Sequence, residues 1–162
     1  QNVGTNDDIF GIWNTTGNHW TYWMGSGTSD LFMYYNGTLR GSWNNANGVY
    51  TSFSDRSLKK DIQPIGSVLS SITKIQPYLF RYNDNSSSDA LTAGFMAQDV
   101  QPLFPEAVRR ITNKDGTTNL GIQYQYMSVY AIKAIQEQQQ LIINQQKTID
   151  DLLKRVEKLE KK

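Results

Sequence analysis

The sequence predicts an α+β protein in three parts: a short β-rich segment over 1–53, a small mixed α+β domain over 54–125, and a long C-terminal coiled-coil helix over 126–162. Three observations carry this. Residues 1–53 hold all four tryptophans, eight of the twelve glycines and, beside His19, one basic residue, Arg40. From Ser54 onward the composition turns to ordinary alternating helix and strand signals. Toward the C-terminus, apolar residues recur every seven positions.

The bulk numbers narrow the function classes. At 162 residues the chain has room for one ordinary domain or two small ones. Its 16 basic and 15 acidic residues nearly cancel, so nucleic acid and membrane surfaces are not expected partners. With zero cysteines there is no disulfide framework, thiolate metal site or cysteine nucleophile, and neither a metal nor a cofactor is expected. A Ser-His-Asp triad would need His19, the single histidine. No run approaches the roughly 18 apolar residues of a membrane span, and no signal peptide is evident. The chain begins at Gln1 rather than Met, as expected of the C-terminal part of a longer protein.

In the first segment, His19-Trp20-Thr21-Tyr22-Trp23-Met24 and Leu31-Phe32-Met33-Tyr34-Tyr35 are aromatic runs bounded by Gly, Asn, Ser and Asp, the pattern of short strands and tight turns. Asn36-Gly37 and Asn47-Gly48 are hairpin-turn dipeptides. Gly11-Ile12-Trp13-Asn14 is echoed by Gly41-Ser42-Trp43-Asn44, a weak repeat. So small a piece buries little surface alone, and it is expected to complete its core against copies of itself. A small monomeric sheet domain is the alternative. The same aromatics would suit a tip that stacks on a host glycan or receptor.

In the middle segment, Val68, Leu69, Ile72 and Ile75 predict one short amphipathic helix, stopped by Pro77. Tyr78–Tyr82 and Ala93–Ala97 read as strands, with a polar loop over Asn83–Asp89 between them. Asp99–Val108, with Pro102 and Pro105, suits a short helix and turn. Val108–Ile111, the turn Asn113–Gly116 and Thr117–Gln123 read as a hairpin. The final helix places Ile135, Ile142, Ile149 and Val156 at one seam position, and Ala131, Gln138, Gln145, Leu152 and Leu159 at the other. Ile or Val with Leu in the last heptads favours two strands, whereas Leu141 and Leu153 widen the apolar face and suit three. Alternatively the helix docks alone on its own domain.

The chemistry concentrates at the seam Ser54-Asp55-Arg56-Ser57-Leu58-Lys59-Lys60-Asp61-Ile62. Without cysteine, nucleophilic catalysis falls to a hydroxyl with a lysine base, a variant of triad logic. Ser54 and Lys59 are five apart, which puts them about 140° apart on a helix and on opposite faces of a strand. They meet only across a bend or between neighbouring chains. A lysine base must also be neutral: moving an ordinary ammonium from about 10.4 to near 7 takes about 4 kcal/mol of burial or cationic neighbours. Arg56 and Lys60 are candidate cations. Spacing alone equally fits a turn serine with solvated lysines.

The ordered motifs resemble a known family. Ser54-Asp55-x-x-Leu58-Lys59-x-x-Ile62 with Pro64-Ile65 resembles the opening of the intramolecular chaperone auto-processing domain, the S74 peptidase type that ends endosialidases and phage tail spikes and fibres. Pro77–Tyr82, Gly94–Val100 with Phe104–Val108, and Tyr126–Gln136 resemble its later elements, so the likeness runs from 54 to about 140. Ser57 stands where the family often has arginine, one position after Arg56.

This resemblance implies a homotrimer assembled through the chaperone segment, with the upstream fibre segment of the same chain as substrate. It implies that Lys59 deprotonates Ser54, that Ser54 attacks the Phe53 carbonyl, and that the chain is cut once between Phe53 and Ser54 in a single-turnover hydrolysis. Asp55 and Gln98 are candidate supporting residues, Gln98 as an amide donor to the developing oxyanion; Asp99 is a motif position without a derived role. The expected location is a phage virion, with assembly in the host cytoplasm, or alternatively a bacterial cell surface. A trimeric fibre end that never cuts is the competing reading.

Overall fold

The computed structural model describes residues 9–24, 27 and 29–161. Residues 1–8, with which the expected β-rich segment begins, and Lys162, the end of the expected helix segment, lie outside the described residues. The chain divides into two compact units, Gln1–Gln63 and Pro64–Lys162.

The first unit is a five-stranded antiparallel meander in the order β1 (Ile9–Trp13), β2 (His19–Met24), β3 (Leu31–Tyr35), β4 (Thr38–Trp43) and β5 (Tyr50–Ser52). The aromatic runs expected to be strands are β2 and β3. Asn36 and Gly37 both take left-handed backbone, φ 47° and 75°, so this dipeptide closes the β3–β4 hairpin as its residue types demand. The repeated Gly-x-Trp-Asn proves structural. Each copy ends a strand, and its Asn (Asn14 or Asn44) opens the next turn by accepting from the amide two residues on, Thr16 at 3.1 Å and Ala46 at 3.0 Å. Each Trp then meets the aromatic across the hairpin, Trp13 on His19 and Trp43 on Tyr50.

Cross-strand register sorts the side chains. Phe10 meets Tyr22, Trp20 meets Tyr35, and Trp43 meets Tyr50 on one face, where Arg40 also lies 5.9 Å from the Tyr35 ring centre. Trp23 with Phe32 and Tyr34, and Trp13 with His19, occupy the other. The two faces are thus both apolar, and within this unit only Gly41 and Ser42 are buried among the described residues. Phe10 keeps 62% and Ile12 54% of their surface exposed.

The second unit has a core. Val68, Val100, Phe104, Ala107, Met127, Tyr130 and Ala134 form it, with Leu69, Ile72, Ile75, Phe95, Leu103, Val108 and Ile122 packed at its edge. The expected amphipathic helix is a single turn, α1 (Leu69–Ile72), and its apolar residues face this core as their spacing predicts. Two strands are shorter than expected. β6 (Tyr78–Phe80) pairs with β7 (Thr92–Gly94) over three residues, and the ladder stops because the Phe95 amide donates to the Tyr124 hydroxyl (3.1 Å) instead of a strand. Ala97, expected in the strand, is buried and opens α2 (Ala97–Val100). A 3-10 turn, Pro105–Ala107, leads into the expected hairpin, β8 (Val108–Thr112) and β9 (Thr118–Ile122).

Helix α3 (Tyr124–Glu160) runs unbroken for 37 residues, about 55 Å. Its first turns send Met127, Tyr130 and Ala134, spaced i, i+3, i+7, into the core, where Tyr130 stacks on Phe104 at 4.4 Å. The Tyr130 hydroxyl donates to Glu106, and burial followed by that carboxylate pushes the phenol above its ordinary range. From Gln138 to Lys161 every residue is exposed.

Candidate functional site

The seam follows β5 directly and belongs to the first unit. Asp55 sits extended (φ −61°, ψ 142°) and caps a 3-10 turn, Arg56–Leu58. Its Oδ1 accepts from the Ser57 amide at 2.7 Å and the Ser57 hydroxyl at 2.5 Å. The Leu58 amide donates to the Asp55 carbonyl, and the Lys59 amide to that of Arg56. Lys59 then returns to extended backbone (φ −122°, ψ 146°). The reversal carries its ammonium back to Ser54, with Nζ 2.6 Å from Oγ. Of the two routes open to a pair five apart, a bend within one chain is the one this geometry uses.

The Asp55 carboxyl is held below the usual carboxylate range, first by the Ser57 hydroxyl, then by the Ser57 amide and the Lys59 charge. Phe53, whose carbonyl is the expected target, is exposed, as are Ser54, Arg56, Lys59 and Lys60. The arrangement provides a hydroxyl nucleophile, an amine in hydrogen-bond contact and an adjacent peptide bond, the parts of a Ser-Lys acyl-transfer site. Among the described residues, no three of His, Cys, Asp or Glu gather as a metal site, and no helix is long and apolar enough to cross a membrane.

The other candidates lie in the second unit. Gln98, on α2, lines an open cleft of about 550 Å³ with Phe80, Arg81, Phe95 and Tyr124. Asp99 accepts from the Tyr78 hydroxyl at 3.1 Å and lifts that phenol's pKa, which ties β6 to α2.

Two residues escaped sequence reasoning, Ser57 at the seam and Glu137 within the second unit. Ser57 entered only as a replacement for arginine, although an Asp followed two residues later by Ser is a local turn signal. Glu137 had no signal at all. It reaches from α3 to accept from Ser67 Oγ (2.8 Å) and the Val68 and Leu69 amides (3.1 and 3.0 Å), with Lys133 3.4 Å away. These donors, the Leu69 amide foremost, draw its pKa down to about 2.

Comparison with known proteins agrees with the resemblance carried by the motifs from Ser54 onward. Residues 54–109 match the family model Peptidase_S74, chaperone of endosialidase. The match opens at Ser54 itself. Over a longer span the chain is similar to two phage proteins. It is 29% identical over 110 residues (66% of the chain) to the long tail fiber protein Gp37 of Enterobacteria phage K3, and 30% over 108 residues (65%) to that of Enterobacteria phage T2. It spans only 9% and 8% of those proteins.

Proposed function

We propose that this chain is the C-terminal chaperone of a phage tail fibre or spike, that it assembles as a homotrimer, and that it releases itself by one cut between Phe53 and Ser54. The observation that carries the reading is the 2.6 Å contact from Lys59 Nζ to Ser54 Oγ at the first residue of the family match. A neutral Lys59 takes the hydroxyl proton as Oγ bonds to the Phe53 carbonyl carbon. The Phe53–Ser54 C–N bond breaks, and the lysine returns the proton to the leaving nitrogen. Water then hydrolyses the ester, leaving Phe53 as a carboxylate and Ser54 as a new N-terminus.

Assembly fits this chemistry. In the single chain Lys59 is exposed, so the burial that a lysine base requires must come from neighbours. Exposed Ile135, Ile142, Ile149 and Val156 offer a seam for those neighbours. The substrate is the chain's own upstream segment, and removing the folding aid leaves the fibre kinetically stable. The proposed location is the virion, after assembly in the host cytoplasm. Exposed aromatics on the sheet also support a receptor- or glycan-binding role for the upstream segment.

The test is mass spectrometry of the expressed chain beside Ser54→Ala and Lys59→Ala. Two fragments meeting at Phe53/Ser54 are expected from the parent and an intact chain from both variants. An intact parent would remove cleavage and leave a non-cutting fibre end.

A further inference from the structure

We infer that Asp55 and Ser57 are a positioning pair that sets the rate of the cut by holding the bend which delivers Lys59 to Ser54. This deepens the proposed Ser-Lys chemistry and rests on it.

An extended path from residue 54 to residue 59 would separate their Cα atoms by about 17 Å, so a hydrogen bond between the two side chains requires a reversal. The reversal here is a single 3-10 turn, and such a turn is too short to persist on its own backbone bonds. No residue of it is buried, so no packing enforces it. The bonds left to define it are the two backbone contacts at 3.2 and 3.1 Å and the double acceptance by Asp55 Oδ1 of the Ser57 amide and hydroxyl. The latter pair is shorter and charge-assisted, and hence the stronger restraint. The carboxylate stays ionised through the neutral range because the Ser57 donors favour its anion. Ser57 therefore does in this chain something an arginine at the same place would not: its short hydroxyl folds back on the cap two residues earlier. Neither residue touches the scissile bond in this account; both act through the place of Lys59.

The experiment refolds the full chain from denaturant. It follows cleavage by mass spectrometry and assembly by light scattering, for the parent, Asp55→Ala, Asp55→Asn, Ser57→Ala and Ser57→Thr, with Ser54→Ala as the uncut control. Losing an end-capping acceptor of this kind slows the cut about tenfold in Asp55→Ala. Asp55→Asn, which keeps an acceptor for the Ser57 amide, stays within about threefold of the parent. Ser57→Ala slows the cut about threefold and Ser57→Thr restores it, with the assembly rate unchanged throughout. Because the two side chains share one contact, adding Ser57→Ala to Asp55→Ala produces little further loss. Parental rates in Asp55→Ala, no rescue by Ser57→Thr, or losses that track assembly would each overturn the inference.

If the parent does not cut at all, the cleavage reading fails separately. The nuclear Overhauser contact between Ser54 β-protons and Lys59 ε-protons then decides the positioning. Its presence in the parent and loss in Asp55→Ala upholds the pair, and its persistence in Asp55→Ala defeats it.

Discussion

The two units solve the same problem differently. The second closes a core inside one chain, with Val100 fully buried and Phe104 only 3% exposed. The first lays ten or more large apolar side chains on both faces of one sheet and buries none of them among its described residues. A single sheet layer has nothing to pack against unless another layer arrives. The contrast recurs within α3. Its first turns commit Met127, Tyr130 and Ala134 to the chain's own core, while Ile135 keeps 63% of its surface exposed on a neighbouring stripe. One part of the protein closes its core alone, and the other leaves its apolar side chains open.

The largest expected effect comes from shortening α3 at two places. Ending the chain after Gln123 removes Met127, Tyr130 and Ala134 and unfolds the second unit, which circular dichroism would report as lost structure well beyond the deleted helix. Ending it after Asn144 keeps those residues and Glu137 but removes most of the exposed stripe. Light scattering should then show failed assembly with the second unit still folded. Unfolding in both would break the contrast, since the second unit would also depend on neighbours.

A smaller effect separates aromatics of the two units. Phe104→Ala empties a fully packed site and costs about 3–5 kcal/mol in urea unfolding of the unassembled chain. Trp20→Ala, at the open sheet face, costs within about 1 kcal/mol there and shows its larger loss in the assembled state. Equal costs in the unassembled chain would mean that the sheet is already covered.

The smallest effect is a pH dependence confined to the second unit. The folded-state pKa of Glu137, about 2, lies below the ordinary value of 4.5, so its contribution is present above the unfolded value and is lost as pH falls through the folded one. The melting temperature of the parent should exceed that of Glu137→Gln by a constant margin from pH 7 to about 5, and the margin should close between about 4.5 and 2. A margin that persists at the acid end would assign the effect to shape rather than charge.

Much of the fold was legible because its signals are local. The aromatic runs of β2 and β3, the Asn36-Gly37 turn and the seven-residue repeat of α3 each depend on neighbours within a few positions. The β6–β7 pair of the second unit was less legible. The Phe95 amide leaves the ladder for a tyrosine hydroxyl 29 residues away, which no local pattern announces. At the site, residue types and spacing pointed to Ser54 and Lys59 and required a bend or a neighbouring chain, but the Asp55–Ser57 contact within the bend became visible only in three dimensions.

By itself the sequence determined most element types and which residue types stand at the seam, because periodicity and turn composition act over a few bonds. Tertiary structure alone decided which stripe of α3 is spent on the chain's own core and which stays open. It alone brought Glu137 across 70 residues onto Ser67. The physical reason is the same for both: a helix presents several faces at once, and which one is buried depends on where the rest of the chain returns to meet it.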